Sequence, residues 1–407
     1  RLHMRSDVPI GAALSGGIDS SAIVCAMRYL EPEMPIHTFS YIAKGTSLNE
    51  ENWVDLINDY VKAIPHKIEL DYKDLYRDLD DVILFQGEPF GSTSIYAQYC
   101  VFKKAKEAGV IVMLEGQGAD ELLAGYYGYP EHVALSYYDK REFKKLIHFI
   151  NAWSKAHGQP KKLIFRYIFL HVLSTSIQSF FLGLKRLLMF FSFSKKQKGG
   201  TKAGKIISSI FKKILDPEPP SWLIDDEGKI MEAANDQLNI ENKEPIVKGR
   251  RLAYELRRSL KGQHLAGINS LLRHGDRNAM KWSVEGRVPF LTTEIAEFLL
   301  SLPEQYLISE KGLTKNIFRE AMRGIVPNKV LDRVDKVGFA TPEQEWVTNM
   351  KTGELNQVFE KVSFLDSAKM KKEREDVLDG SKPFNWFAWR HTNLAIWLKL
   401  NEKKLEL

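Results

Sequence analysis

The stretch that most constrains this chain is LSGGIDSSA, residues 14 to 22. It follows VPIGAA (8 to 13), an apolar run with the look of a buried strand, and opens IDSSAIVCAMRYL (18 to 30). In the latter, Ile18, Ala22, Cys25, Ala26 and Tyr29 fall on one face of a helix. A glycine turn at a helix N-terminus offers what phosphate oxygens need: converging N–H donors, little bulk and a favourable dipole. Gly16 and Gly17 meet the steric need, and Ser15, Ser20 and Ser21 add hydroxyl donors. Asp19 stands where a bare phosphate would be repelled, so a cation must lie between them. Magnesium shared by Asp19 and phosphate oxygens resolves the conflict. A plain helix cap needs one such side chain rather than five in succession. The stretch is neither the GxxxxGK[ST] loop, since it has no lysine, nor GxGxxG.

The pattern continues with IHTFSYI (36 to 42) as strand, NEENWVDLINDYVKAI (49 to 64) as helix and HKIEL (66 to 70) as strand. Helices follow near 73 to 85 and 94 to 108, then VIVMLEG (110 to 116) as strand. Strands separated by helices predict an α/β fold with a doubly wound parallel sheet, whose ligands bind at the carboxyl ends of the strands. After about residue 130 strand signals fade, and patterns such as KGRRLAYELRRSL (248 to 260) and FNWFAWRHTNLAIWLKL (384 to 400) predict a mainly helical C-terminal lobe. The expected division is an α/β core (1 to 130), a helical insertion with a basic loop (131 to 240) and a helical lobe completing the site (241 to 407). Within the insertion, residues 161 to 205 run from apolar to Lys/Gly/Ser-rich. Arg166, His171, Lys185 and Arg186 interrupt that run and argue against a membrane span. A helix packed on the second lobe is expected in preference to one lying on a membrane.

A chain of 407 residues, 44% hydrophobic, can bury two cores. Its net charge of +6, from 58 basic and 52 acidic residues, argues weakly for nucleic acid and leaves an acidic small ligand open. Cys25 and Cys100 have apolar neighbours and no ligand spacing, which points away from a disulfide framework or zinc and toward a reduced, cytoplasmic setting. The chain starts at Arg1 on an abrupt first strand, without the order of a signal peptide, and the expectation is that a further domain precedes it.

Three more motifs carry chemistry. In LEGQGADELLAGYYGY (114 to 129) a strand ends at Glu115, Gly116 and Gly118 make the turn, and Asp120 and Glu121 start a helix. Those two carboxylates could merely complement the helix dipole, yet Asp120 could also complete a magnesium site with Asp19. RHGDRNAMKWSVEGRVPFL (273 to 291) reads, at its plainest, as a solvated helix face with a Glu285–Arg287 ion pair. DRVDKVGFATPEQEW (332 to 346) is a Gly- and Pro-containing loop carrying Lys336.

The first loop resembles the SGGxDS pyrophosphate loop of the N-type ATP pyrophosphatases. All four motifs in this order, with EPFGSTSIYAQY (88 to 99) between the first two, resemble the synthetase domain of glutamine-dependent asparagine synthetase. The resemblance implies ATP and Mg²⁺ as cofactors. Ser15, Gly16, Gly17, Asp19, Ser20, Ser21 and Gly116 would bind nucleotide, Asp19 and Asp120 the metal, and Lys336, Asp120 and Glu121 would be catalytic. It implies that the aspartate β-carboxylate is adenylated to β-aspartyl-AMP with release of pyrophosphate, and that ammonia then displaces AMP. It further implies an N-terminal glutaminase domain on the same polypeptide, without which the chain would use free ammonia; a homodimer is also open.

Two departures stand out. Where the best-known form of the motif reads GEG, this chain has Gly116, Gln117 and Gly118, and an amide cannot accept the proton in the second step. Glu115, Asp120, Glu121 or the phosphate of the intermediate must then do so. PFLTTE (289 to 294) also lacks an aspartate often found after PFL. Rival readings are a ligase acting on another carboxylate, as in β-lactam synthesis or sugar-acid amidation, a tRNA-modifying enzyme, and a non-catalytic scaffold. A near-balanced charge argues against the RNA reading.

Overall fold

The structure is a computed structural model and describes residues 1–169, 221–224, 249–260, 267–335, 337–350 and 355–405. Its centre is a parallel sheet of β1 (Ile10–Ala13), β2 (His37–Tyr41), β3 (Ile64–Ile68), β4 (Val112–Leu114) and β5 (Glu285–Arg287), in the order β3-β2-β1-β4-β5. Each neighbouring pair is parallel, with Ala13 opposite Phe39 and Ala12 opposite Leu114. Strand order reverses about β1, which has β2 on one side and β4 on the other. The crevice between the carboxyl ends of β1 and β4 is therefore the topological switch point, where such sheets bind ligands.

Both faces of the sheet are covered, as a parallel sheet requires. On one face Ile10, Ala12, Leu14, Val112 and Leu114 pack with Ala22, Val24 and Met27 of α1 (Ile18–Leu30) and Ile57 of α2 (Glu51–Val61). On the other, Phe39, Val110 and Met113 pack with Val101, Phe102 and Ala105 of α4 (Ser94–Glu107), and with Ala279 of the helix Ile268–Lys281. Each Val, Leu, Ile, Met or Phe among these, when fully buried, contributes about 1.5 to 3 kcal/mol of transfer free energy. Between β3 and α4 runs α3 (Tyr72–Gln86), started by a capping box in which the Asp71 carboxylate accepts from the Lys73 and Asp74 amides.

Beyond β4 come α5 (Ala119–Leu122), α6 (Tyr129–Asp139) and α7 (Phe143–His157). They share a core with Leu252 and Leu256 of the helix Arg251–Leu260 and with Leu299 and Leu307. The final helix, Phe387–Leu405, lies against α3, and its Trp389 indole donates to the Phe90 carbonyl at 3.0 Å.

Several details differ from the expectations above. The third strand starts at Ile64, because its pairing with β2 begins at Ile64 opposite His37. Of the expected face of α1, Ala22 and Cys25 are buried but Tyr29 is 65% exposed, and Ile23, Val24 and Met27 join the buried side. A fifth strand lies past residue 130, within VEGRVP, in place of a continued helix face. The expected ion pair is present there, Arg287 Nε to Glu285 Oε1 at 2.7 Å. Cys25 and Cys100 are buried free thiols. Of the 161 to 205 segment, residues 162–169 are helical and 170–205 lie outside the described residues. Among the described residues no helix is long and apolar enough to cross a membrane.

Candidate active site

The loop after β1 closes on itself through hydroxyls. Ser20 Oγ accepts from the Ser15 amide at 3.2 Å and lies 3.1 Å from Ser15 Oγ, while Ser15 Oγ accepts from the Gly17 amide at 3.4 Å. Gly16 has φ +80°, and a Cβ there would sit 2.7 Å from Trp53 Cβ, so only glycine fits both the turn and the neighbour. The Gly16 carbonyl accepts from Arg333 Nη1 at 3.0 Å. That guanidinium stacks on the Trp53 ring, 4.2 Å from its centroid, and pairs with Glu50 and Asp335 at 2.8 and 2.7 Å. Burial would lower the pKa of Arg333, but its bonds to Asp335 and Glu50 prevail and hold it above the usual arginine value.

The loop after β4 meets the first one closely: a Cβ on Gly116 would lie 3.2 Å from Asp19 Cβ. Asp19, in the first turn of α1, and Asp120, in the first turn of α5, are joined by Lys315. Its ammonium lies 2.6 Å from Asp19 Oδ1 and 2.7 Å from Asp120 Oδ1. Lys315 is 4% exposed and holds a left-handed backbone, φ +54°, at the start of the helix Asn316–Ala321. Burial works against its charge, yet the carboxylates of Asp19 and Asp120 outweigh that and raise its pKa. Gly125 keeps the space open, since a Cβ there would come within 1.9 Å of Asp120 Oδ1 and 2.4 Å of Lys315 Cε.

One cavity spans these loops. Its wall includes Ser15, Gly17, Asp19, Ser20, Gly116 and Asp120 from the sequence reading. Gly16 and Ser21 are not part of that wall, and Ser21 is fully buried. Glu121 is not brought into the wall: it is 2% exposed and accepts from the Tyr126 hydroxyl at 2.8 Å. Lys336 lies outside the described residues, between Asp335 and Val337, which are both in the wall.

Three charged groups that line the cavity escaped the sequence reading. Lys315, in KGLTKNIF, has no local pattern to separate it from a solvated loop lysine. Arg333 lies inside the quoted DRVDKVGF loop, and Glu50 precedes α2; only their pairing across the fold shows their part. Arg319 also lines the cavity, but its donors are taken by the carbonyls of Thr314, Leu331 and Arg333.

Asp19 and Asp120 fit a magnesium ion in donor type, being hard carboxylate oxygens on facing loops, but the position between them is held by the Lys315 ammonium, which would have to move aside for them to share an ion. Among the described residues no three His, Cys, Asp or Glu side chains converge as a cage. An ion there would complete its shell from phosphate oxygens and water.

A parallel sheet with a Gly/Ser loop feeding a helix at its switch point, faced by two carboxylates and a buried lysine, defines an ATP-pyrophosphatase-like α/β domain. The sequence matches the asparagine synthase family over residues 1–399, and the chain belongs to that family. It is 27% identical over 354 residues to asparagine synthetase [glutamine-hydrolyzing] 1 of Bacillus subtilis, covering 86% of this chain and 49% of that protein. It is 28% identical over 355 residues to a putative asparagine synthetase [glutamine-hydrolyzing] of Mycobacterium bovis, covering 87% and 47%. A shorter match, 37% over 126 residues, is to putative asparagine synthetase [glutamine-hydrolyzing] 2 of Methanocaldococcus jannaschii, covering 31% and 24%. The chain spans about half the length of the Bacillus and Mycobacterium relatives.

Proposed function

We propose that this chain catalyses ATP-dependent asparagine synthesis, adenylating the aspartate β-carboxylate and passing the acyl group to ammonia. The observation that carries the reading is the Lys315 ammonium centred between Asp19 and Asp120, at the mouth of the Ser15–Ser20 loop. A site where two anions must meet needs fixed positive charge in a partly water-excluded setting.

The amides and hydroxyls of the first loop would hold the leaving pyrophosphate at the N-terminus of α1. Asp19 and Asp120 would hold Mg²⁺, which when bound offsets phosphate charge. Lys315, and Lys336 from the neighbouring loop, would supply ammonium charge against the developing negative charge on the α-phosphate. Arg333 keeps the loop's shape through the Gly16 carbonyl. Gln117, in the wall beside Asp120, can orient a substrate but not take its proton. The division into a core (1 to 130), an insertion (131 to 240) and a lobe (241 to 407) belongs to this proposal, with β5 lent by the lobe to the core sheet. So does a preceding glutaminase domain that would supply the ammonia from glutamine.

Aspartate as substrate rests on family membership, and Gln117 in place of the motif's glutamate favours a second reading, a ligase for a different carboxylate. Formation of AMP and pyrophosphate from ATP, measured against a panel of carboxylates, separates the two. Dependence on aspartate is expected. Dependence on another acid selects the second reading, and ADP as product removes both.

A further inference from the structure

Five carboxyl groups of described residues reach the cavity: Asp19, Glu50, Glu115, Asp120 and Asp335. Four are ion-paired, Asp19 and Asp120 with Lys315 and Glu50 and Asp335 with Arg333. Glu115 differs. Its Oε2 accepts from Gln98 Nε2 at 2.9 Å, and no ammonium or guanidinium of a described residue is paired with it.

Gln98 is the last link of a buried chain. His274 Nδ1 donates to Gln86 Oε1 at 2.7 Å and Gln86 Nε2 to Asn278 Oδ1 at 2.7 Å. Asn278 Nδ2 in turn donates to Gln98 Oε1 at 3.1 Å. Because an amide oxygen only accepts, each side-chain link of this chain donates toward Glu115, while Gln86 and Asn278 also donate to the His274 and Ile95 carbonyls, and His274 must carry its proton on Nδ1. Two glycines make room for the chain's end. A Cβ on Gly286 would lie 3.1 Å from Glu115 Oε1, with Phe102 and Ala279 around the same spot, and one on Gly275 would lie 3.3 Å from Gln98 Nε2. The neighbours on α4, β5 and the helix Ile268–Lys281 are thus amide, apolar or glycine. The nearest titratable member is His274, at the far end of the chain, and the remaining charges of the cavity are the paired ones above and Arg319, whose donors go to backbone carbonyls.

We infer that Glu115 is the proton acceptor of the amide-forming step, the function that Gln117 cannot perform in this chain. The inference rests on the adenylation reading. The amine nitrogen attacks the acyl carbon, the new C–N bond forms and the acyl C–O bond to AMP breaks, with the electron pair leaving on AMP. The proton from the nitrogen passes to the Glu115 carboxylate and thence to solvent before the next turnover. A carboxylate tied to a cation must break that pair to take a proton: Asp19 and Asp120 are engaged by Lys315, and Glu50, although burial raises its pKa, is held with Asp335 in the Arg333 pair that supports the Gly16 loop, which leaves Glu115 as the described cavity carboxyl free of a cation. Burial, opposed only by the Gln98 bond, raises its pKa to about 7, where a base at neutral pH works best.

The test measures two partial reactions in the wild type, Glu115→Gln and Gln98→Leu. Aspartate-dependent exchange of pyrophosphate into ATP reports adenylation. Amide formation with ammonia, and with hydroxylamine as a nucleophile largely unprotonated at neutral pH, reports the second step. E115Q, which keeps shape and hydrogen bond, is expected to retain exchange while amide formation falls roughly 100-fold or more. The wild-type rate with hydroxylamine should rise with pH through about 7. That limb should vanish in E115Q and move to higher pH in Q98L, which removes the bond favouring the carboxylate. Undiminished amide formation in E115Q, equal loss of both reactions, or an unmoved limb in Q98L overturns the assignment of Glu115. A wild type without exchange overturns the adenylation reading itself, and this inference with it.

Discussion

Lys315 Nζ lies 2.6 Å from Asp19 Oδ1, and the same nitrogen reaches Asp120, so one buried ammonium ties the loop after β1 to the loop after β4. Lys315→Met would leave two carboxylates facing each other without their cation. The expected loss is about 3 to 5 kcal/mol in urea unfolding, the usual result of removing one partner from a buried ion cluster. Adding Asp120→Asn to that variant should recover part of it. A Lys315→Met protein as stable as the wild type would show that the pairing is not realised in solution.

The same carboxylate has a catalytic part in the proposed reaction. Asp19→Ala is expected to abolish pyrophosphate release, and Lys336→Ala likewise. Normal release in either variant, measured with a coupled pyrophosphate assay, would remove that residue from the mechanism.

Arg333 holds the loop after β1 from outside, through the Gly16 carbonyl, the Trp53 ring and two carboxylates. A lysine cannot reproduce a fork that stacks and donates in several directions. Arg333→Lys is expected to slow pyrophosphate release by about 10- to 100-fold, as small misplacements of binding groups do. Gly16→Ala, forced into φ +80° against Trp53, should cost at least about 1 to 2 kcal/mol in thermal unfolding.

Glu115 also predicts a pH dependence of stability. Its pKa rises from the ordinary 4.5 to about 7 on folding, so between those values the folded protein holds a proton that the unfolded chain has lost. Stability from this group is therefore full below about pH 4.5 and declines as pH rises to about 7. At pH 8 the ionised, buried carboxylate costs roughly 3 kcal/mol, at about 1.4 kcal/mol per pH unit. Glu115→Gln should accordingly be more stable than the wild type at pH 8 and lose that advantage near pH 4.5, as read from urea titrations at both pH values. Equal differences at both would show that Glu115 titrates normally.

Much of this architecture was legible in the sequence. The crowding of Gly16, Gly17, Asp19 and three serines after an apolar run marks the switch-point loop, because few other settings use so many small and polar residues together. β4 and its Gly116 turn were equally visible. β5 was not, since Glu285–Arg287 is a short, polar strand whose assignment comes from pairing with Val112–Leu114 rather than from its own pattern. Lys315 was hidden for a related reason: it stands apart from a solvated lysine only by being buried between two carboxylates distant in sequence, and no local periodicity reports that. Glu115 was visible as a candidate base among others. What sets it apart, the paired state of its rivals and the chain through Gln98, Asn278 and Gln86, exists only in three dimensions.

The central claim is that a carboxylate oxygen of aspartate attacks the α-phosphorus of ATP. Aspartate labelled with ¹⁸O in its β-carboxylate tests this directly when the AMP formed with ammonia is analysed by mass spectrometry. One labelled oxygen transferred into AMP, with pyrophosphate unlabelled, is the predicted result. Unlabelled AMP, or label appearing in inorganic phosphate beside ADP, would contradict it.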